Sequence, residues 1–233
     1  SAAQMQIFDS LGAQRPKMAH LPLMTDSKGE GLSKRIGSLS LKDLKKEEIE
    51  SIALNSYLSS IGTSKNIELH KNIKDIIEGF EITHFSRAPT KFNFNDLKSM
   101  NIKMIQQLNY NEFKSRFNEI QIKFDEKYWN IIRKNISSLS ELIEWNEIVY
   151  GQLTNNEIDK DIQKVFFKTL PNEEFDENTW NNWSSEIKSN LEMKNNVIFK
   201  LLRKVLTGRE SGPEMSELIF ILGRNKILER LKK

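Results

Sequence analysis

A glycine-rich segment near the start of the chain contains the residues best suited to hold a polyphosphate. It carries Gly29 and Gly31 and then the tetrapeptide Leu32-Ser33-Lys34-Arg35. Glycines let a backbone come close to a ligand, the serine hydroxyl can donate a hydrogen bond, and lysine and arginine supply positive charge. Such a loop suits nucleotide phosphates. Taken alone, these residues fit a solvated basic turn better, because so short a motif is common.

A second candidate region lies at the other end of the chain, over residues 202–231. Glycines and Pro213 divide it into helix, tight turn, helix, short turn and terminal helix. Opposite the apolar face of these helices lie the basic residues Arg203, Lys204, Arg209, Arg224 and Lys226. A basic face suits a phosphate backbone, but solvated charge alone would explain it equally well.

The composition is that of a globular protein with a mild positive charge. The 233 residues include 35 Lys and Arg against 32 Asp and Glu, for a net charge of +3. That excess does not by itself predict nucleic-acid binding; it would matter only if the basic residues share one face.

Several classes of site and location are not expected. The chain has no cysteine, and its three histidines lie far apart, at positions 20, 70 and 84. We therefore expect no disulfide, no metal centre and no zinc site. There is no long apolar run and no secretory signal pattern, so we expect a cytoplasmic chain without a membrane role. No catalytic dyad, triad or complete phosphate loop is recognisable, which argues against a free-standing enzyme.

Hydrophobic spacing predicts the elements around the glycine-rich segment. An amphipathic helix is predicted over 2–11 and a short strand over 18–24. Ser40 is predicted to cap the next helical region, with Asp43 in its first turn. A further helix is predicted over 47–61. Strand-like alternation follows over 80–85, and then a helix that extends from a cap at Asn95 to Leu108.

From position 109 onward every periodic segment predicts a helix. Helices are expected over 111–120, after a cap at Asp125, after a capping box of Ser138 and Glu141, and over 154–170, 178–191 and 195–206. The four tryptophans, at positions 129, 145, 180 and 183, lie on helix faces. We interpret them as core residues rather than base-stacking surfaces.

The setting of Lys34 closely resembles the KMSKS-loop region of bacterial glutamyl-tRNA synthetases. The matching frame begins at Ala19-His20, continues through Leu32-Ser33-Lys34-Arg35, and reaches a helix over 53–62. In that family the loop holds the ATP triphosphate, with Mg²⁺, while glutamate is adenylated. The resemblance implies that Lys34 makes the catalytic phosphate contact and that Leu32, Ser33 and Arg35 complete the loop. The first lysine of the motif is Gly31 here, so its contact is not expected.

The end of the chain strongly resembles the end of the anticodon-binding domain of the same family. The pattern fixes Leu202-Arg203, Leu206-Thr207-Gly208, Gly212-Pro213 and the final Arg230-Leu231 at set spacing. The resemblance implies that Arg203, Pro213 and Met215 meet the last two anticodon bases and that Arg209 contacts tRNA. A guanidinium group can hydrogen-bond to and stack on an unpaired base. Relatives often carry a polar residue where this chain has Gly212.

The resemblance covers nearly the whole chain and implies a mainly α fold. Residues 1–110 would form the end of the class I catalytic module and the stem-contact region, with small β content and the KMSKS-type loop. An all-α helical cage would follow, with anticodon-binding subdomains over 111–160 and 161–233. The chain would then be a carboxy-terminal fragment that lacks the nucleotide-binding half and its HIGH motif.

The implied function is the tRNA-binding portion of a glutamate–tRNA ligase, inactive by itself. The expected partners are tRNA(Glu), with ATP and glutamate in the full-length enzyme, and the expected state is a monomer. The resemblance does not decide whether tRNA(Gln) is also a partner. The alternative is an all-α protein-interaction or scaffold module without a nucleic-acid role, whose signature would be dispersed basic residues and an exposed apolar groove.

Overall fold

The computed structural model of this protein describes residues 2–32, 40–116, 123, 125–153 and 158–232. The chain divides into two compact units after Met100. The described residues are mostly helical, with one pair of two-residue strands. A mainly α fold with small β content is therefore confirmed.

The first unit contains short helices and the strand pair. Its elements are α1 (Ala2–Ser10), β1 (Met24–Thr25), α2 (Leu41–Lys46), α3 (Ser51–Ser60), α4 (Ile73–Gly79), a 3₁₀ turn (Ile82–His84) and β2 (Thr90–Lys91). Helix α5 (Phe94–Gln107) runs across the division between the units. β1 and β2 are parallel, with Met24 opposite Thr90.

The predicted cap at Ser40 is confirmed. Its hydroxyl accepts the backbone N–H of Asp43 at 3.2 Å, and the Asp43 carboxylate accepts the backbone N–H of Ser40 at 3.0 Å. The helix predicted over 47–61 starts later, at Ser51. Glu48 has a φ of +54°. A helix cannot continue through a residue in this left-handed conformation, so α2 and α3 are separate helices.

The strand predicted over 80–85 is wrong. Residues 82–84 form a 3₁₀ turn, and Phe85 makes an isolated antiparallel bridge to Thr63. Phe80 and Ile82 are 43% and 45% exposed. The apolar residues of this alternating pattern therefore do not form a buried face. The strand predicted over 18–24 is confined to Met24–Thr25.

The predicted cap of α5 is also corrected. This helix begins at Phe94, and the Asn93 side chain accepts the backbone N–H of Asn95 at 3.0 Å. Asn95 therefore lies in the first turn of α5. An asparagine two positions earlier is equally able to cap, and the sequence offers both.

The secondary structure that is described in the second unit is helical. The helices are α6 (Tyr110–Arg116), α7 (Glu126–Ile132), α8 (Ser140–Tyr150), α9 (Lys160–Thr169), α10 (Thr179–Asn190), α11 (Asn195–Thr207) and α12 (Met215–Lys232), with a 3₁₀ turn at Arg133–Asn135. The end of the helix predicted over 111–120 and the start of that predicted over 154–170 lie outside the described residues.

Most of the tryptophans form the core of this unit, as predicted. Trp129, Trp145 and Trp183 are at most 1% exposed, and Trp180 is partly buried. Phe113 stacks on Trp129 with 4.0 Å between ring centroids. The Trp129 indole N–H donates to the Leu108 carbonyl oxygen at 3.0 Å, so even its polar atom is used internally.

Local signals at the helix ends had mixed outcomes. Asp125 caps α7, accepting the Tyr128 backbone N–H at 2.8 Å, as predicted. The capping box of Ser138 and Glu141 is wrong, because the backbone N–H of Ser137 donates to Glu141 at 3.1 Å instead. Gly223, with a φ of +69°, interrupts α12 as predicted.

Candidate nucleic-acid interface

A tight turn leads into the glycine-rich segment. The backbone N–H of Asp26 donates to the Glu30 carbonyl oxygen at 2.8 Å. The Asp26 carboxylate accepts the backbone N–H groups of Lys28 at 2.8 Å and Glu30 at 2.9 Å. Gly29 has a φ of +90°, which this turn requires. These hydrogen bonds fix the backbone from Asp26 to Glu30.

The strand pair anchors this turn. The Thr90 N–H donates to the Leu23 carbonyl oxygen at 2.9 Å, and the Phe92 N–H donates to the Thr25 carbonyl oxygen at 2.8 Å. Leu32, two residues beyond the turn, is 41% exposed. The other predicted phosphate-loop residues, Ser33, Lys34 and Arg35, lie outside the described residues, so their role stays a prediction.

The second candidate site is the connection between α11 and α12. Gly208 ends α11 in the left-handed conformation with a φ of +74°, as predicted, and its N–H donates to the Lys204 carbonyl oxygen at 2.8 Å. The buried Thr207 hydroxyl accepts the Arg209 N–H at 3.1 Å. α12 begins at Met215, two residues after Pro213. The intervening turn is therefore held by its own hydrogen bonds.

Arg203 extends from α11 to the far side of this turn. Its Nη1 donates to the carbonyl oxygen of Pro213. The side chain is partly buried, and this burial lowers the pKa of the Arg203 guanidinium below its usual value. Pro213 and Met215, the other two residues predicted to meet the bases, are buried. Of these three residues, Arg203 is the most accessible.

Arg209, in the turn after α11, lies over a buried tryptophan of α8. Its guanidinium carbon is 5.4 Å from the centroid of the Trp145 ring, which is cation–π distance. The same guanidinium forms an ion pair with Glu144, the residue before Trp145 on α8. The side chains of Arg209 and Glu144 are 36% and 56% exposed. The Arg209 guanidinium is thus held at the surface by the Trp145 ring and the Glu144 carboxylate.

Gly212 presses against the same indole. A Cβ atom at Gly212 would lie 2.5 Å from Cη2 and 2.6 Å from Cζ2 of Trp145, and 3.4 Å from Nη1 of Arg203. Gly212 also has a φ of +147°. The absence of a side chain here allows the turn to contact the ring directly. We call Glu144, Trp145, Arg203, Arg209 and Gly212 the turn cluster.

The sequence identified only part of the turn cluster. Arg203 and Arg209 were predicted to bind tRNA, whereas Glu144 and Trp145 carried no signal beyond a helix pattern. Their partners lie far away along the chain, and spacing within a helix cannot reveal such a contact. The available hint was the motif's Gly212, since a glycine in a turn can mark close approach to another group.

The other predicted basic residues of this region have internal partners. Arg224 donates to the Pro171 carbonyl oxygen at 2.9 Å and to the Asn172 side chain at 2.8 Å. Lys226 lies 3.4 Å from the Glu229 carboxylate. Arg224 therefore fixes a loop, and its contribution to a ligand surface is smaller than the helix pattern suggests.

Two searches of the described residues bear on other classes of site. Across the ranges that the structure describes, no cluster of three or more His, Cys, Asp or Glu side chains could bind a metal ion. None of the helices in those ranges is both long and apolar enough to cross a membrane.

Comparison with known families identifies the class of protein. Residues 103–233 match the family model for the anticodon binding domain, and residues 1–99 match that for the catalytic domain of class I tRNA synthetases (E and Q). The turn cluster lies in the first of these regions. The chain therefore belongs to the class I tRNA synthetases that carry this anticodon-binding domain.

The curated relatives that the chain matches are glutamate–tRNA ligases. It is 39% identical over 236 residues to glutamate–tRNA ligase 1 of Ehrlichia ruminantium (strain Gardel), an alignment of 99% of this chain and 52% of that protein. It is 37% identical over 235 residues to the corresponding protein of Wolbachia sp. subsp. Brugia malayi, covering 100% of this chain and 52% of the relative. The chain spans about half the length of these curated relatives.

A solved structure shows the same fold. The crystal structure of glutamate–tRNA synthetase from Elizabethkingia anophelis matches with a TM-score of 0.70 at 16% identity, over 99% of this chain and 53% of that one. Family and fold thus agree with the resemblance found in the sequence. They do not support the alternative of a scaffold module without a nucleic-acid role.

Proposed function

We propose that this chain is the tRNA-binding portion of a glutamate–tRNA ligase, which activates glutamate with ATP and transfers it to tRNA(Glu). The turn cluster is the observation that carries the proposal. Arg203 and Arg209 flank one turn, and Arg209 is held over the buried ring of Trp145. This turn lies within the region that matches the anticodon-binding-domain family.

The two arginines have complementary roles in this proposal. Arginine has five N–H donors, so Arg203 can donate to an anticodon base while another of its N–H groups holds the Pro213 carbonyl oxygen. Arg209, whose side chain is 36% exposed, contacts a phosphate or stacks on a base. Pro213 and Met215 support the base contact from below. The site thereby combines hydrogen bonding with apolar contact, as single-stranded RNA recognition requires.

Lys34 is proposed to act in the first step of the reaction, in which glutamate is activated with ATP. In a full-length ligase it would neutralise the ATP triphosphate as charge shifts during adenylate formation, with Leu32, Ser33 and Arg35 around it and Mg²⁺ bound to the nucleotide. The defined turn at Asp26–Glu30 supports a fixed start for this loop. Lys34→Ala in the full-length enzyme should slow adenylate formation and leave tRNA affinity nearly unchanged. A normal activation rate would remove the phosphate role.

The remaining expectations belong to the same proposal. The chain acts as a monomer in the cytoplasm, without zinc, and its helical part divides into subdomains over 111–160 and 161–233. tRNA(Glu) is the proposed RNA partner. Charging of tRNA(Gln) depends on the anticodon bases that the turn cluster accepts.

Binding of the purified chain to tRNA(Glu), and to a tRNA with another anticodon, tests the proposal directly. Both affinities are measured across a salt series, because contacts to phosphates weaken as salt rises. The expected result is tighter binding to tRNA(Glu) that depends on its anticodon. Equal, strongly salt-sensitive binding to both tRNAs would contradict anticodon recognition by this chain. Absence of binding even at low salt would contradict the RNA-binding role.

A further inference from the structure

A pocket of about 350 Å³ lies between α9 and the end of α12. Four of the described residues that line it are lysines, and none of them is acidic: Lys160, Lys164, Lys168 and Lys232. The Gln163 side chain donates to the Leu231 carbonyl oxygen at 3.2 Å, which ties the two helices together at the pocket wall. We call this site the lysine pocket. It shares no residue with the turn cluster.

Three of the lysines form one row along α9. Residues 160, 164 and 168 follow each other at four-residue spacing, which places them on one face of a helix at intervals of about 6 Å. Asp161 forms an ion pair with Lys164 at 2.9 Å, so one carboxylate lies beside the row. Asp159 is used as the cap of α9, where its carboxylate accepts the Asp161 N–H at 2.8 Å. The row keeps an excess of positive charge.

An exposed aromatic ring lies among these lysines. Phe167 is 38% exposed, and the Lys232 Nζ is 6.0 Å from its ring centroid. The neighbouring Phe166 is fully buried, whereas Phe167 lines the charged pocket. Positive charge interleaved with an accessible aromatic ring is the combination by which proteins bind unpaired nucleic-acid strands, with bases on the ring and phosphates on the cations.

We propose that the lysine pocket binds one unpaired nucleotide of an RNA strand, with its base against Phe167 and its phosphates among the lysines. The volume is at the small end of ligand pockets, which run from about 300 to 1,000 Å³, and this suits a single nucleotide. An acidic peptide would satisfy the lysines but would leave Phe167 without a planar partner. The inference shares with the proposed function only the class of ligand and needs no anticodon recognition.

The test uses the full chain and a short fluorescein-labelled oligoadenylate, with binding followed by fluorescence anisotropy. Phe167→Ala should weaken binding at least about fivefold, and Phe167→Leu should weaken it similarly, because leucine keeps apolar bulk but has no aromatic face. Lys168→Gln should reduce the slope of the logarithm of the binding constant against the logarithm of the salt concentration by about 0.7 in magnitude. Lys168→Arg keeps the charge and should keep the slope of the parent protein. Lys103→Gln is the matched control, an exposed lysine of the same unit on α5.

Three outcomes would overturn the inference. One is unchanged binding in both Phe167 variants, and another is an equal loss in Lys103→Gln and Lys168→Gln. The third is a glutamate-rich peptide of the same charge that binds as tightly as the RNA, which would identify a protein partner. Arg203→Ala separates this inference from the proposed function: it should abolish anticodon discrimination and leave oligoadenylate binding and its Phe167 dependence intact. If the parent chain does not discriminate between anticodons, the effect of the Phe167 variants on oligoadenylate binding still tests whether the lysine pocket binds RNA.

Discussion

Gly212 and Trp145 are in direct contact across the α8 and α11–α12 regions, with no room for a side chain between them. A Cβ at Gly212 would lie 2.5 Å from the Trp145 ring, well inside van der Waals distance. Trp145 is 1% exposed, and the Arg209 guanidinium lies over its ring. The turn that carries the predicted base-reading residues is thus seated on the core of the helical unit.

Gly212→Ala should therefore destabilise the second unit and displace the turn. The new methyl group forces the turn away from the indole, and the φ of +147° disfavours any side chain. We expect a loss of about 1–3 kcal/mol in the free energy of unfolding. Urea titration followed by tryptophan fluorescence measures it, because all four tryptophans lie in this unit.

Gly223→Ala is the matched control in the same unit. Gly223 also has a positive φ, +69°, but no atom lies within 4 Å of the position of its added Cβ. It should lose less stability than Gly212→Ala, because the new methyl group adds backbone strain without a contact to an indole. A Gly212→Ala protein as stable as the parent, with unchanged fluorescence, would show that the turn moves freely on the tryptophan.

Glu144→Gln should strengthen RNA binding. Glu144 pairs with Arg209 in the free protein, and a phosphate that takes this guanidinium must replace the carboxylate. An exposed ion pair of this kind is worth about 0.2–1 kcal/mol, so the affinity for tRNA should rise by up to about fivefold. Trp145 would still hold the arginine in place. Anisotropy with labelled tRNA(Glu) gives the affinity.

The control for this effect is Glu210→Gln, which removes the same charge from the ion pair with Lys200 at 2.6 Å. It should raise tRNA affinity less than Glu144→Gln. If the two variants bind tRNA equally, the gain reflects net charge alone and Glu144 does not compete with the RNA.

The sequence predicted features that depend on neighbours along the chain. The cap at Ser40, the cap at Asp125 and the break at Gly223 were predicted because each is decided within a few residues. The burial of Trp129 and Trp183 followed from helix periodicity. Such signals are local, and the fold preserves them.

Features that depend on distant partners were beyond the sequence. Phe80–Phe85 alternates like a strand, but a strand needs a paired neighbour and a buried face, and this segment has neither beyond one bridge at Phe85. The ring of Trp145 beneath Arg209 joins residues on α8 and after α11. The spacing of apolar residues predicts which face of a helix a residue lies on, but it does not predict which other helix that face contacts.

The pKa of the Asp43 carboxyl group gives a test of the cap at low pH. Hydrogen bonds from the side chain and backbone of Ser40 lower this pKa below the usual 3.8. A depressed folded-state pKa means that the contribution is present above pH 3.8 and is lost as the pH falls through the folded-state value. NMR titration of the Ser40 amide should show a midpoint below 3.8. Ser40→Ala should move the Asp43 midpoint upward; an unchanged midpoint would assign the shift to another group.

Arg203→Ala should weaken binding of tRNA(Glu) by about 1–3 kcal/mol if the guanidinium contacts a base. Stability should fall by about 1 kcal/mol as well, because the Pro213 carbonyl oxygen loses its donor. Arg224→Ala is the matched control, since Arg224 also donates to a carbonyl oxygen, that of Pro171 at 2.9 Å. An equal loss of affinity for tRNAs with different anticodons would make Arg203 a backbone contact.

Arg230→Met should destabilise the second unit by about 2–4 kcal/mol. Arg230 is 5% exposed, and its guanidinium donates to the carbonyl oxygens of Ile148 and Leu206, near the ends of α8 and α11. Methionine fills the volume but leaves both carbonyls without this donor. Arg230→Lys should lose stability too, because one ammonium group cannot reproduce the forked geometry.

Lys134→Met, which breaks an exposed pair with Glu217, serves as the control and should cost at most about 1 kcal/mol. Equal losses in urea unfolding for Arg230→Met and the control would show that the buried arginine does not join the two helices.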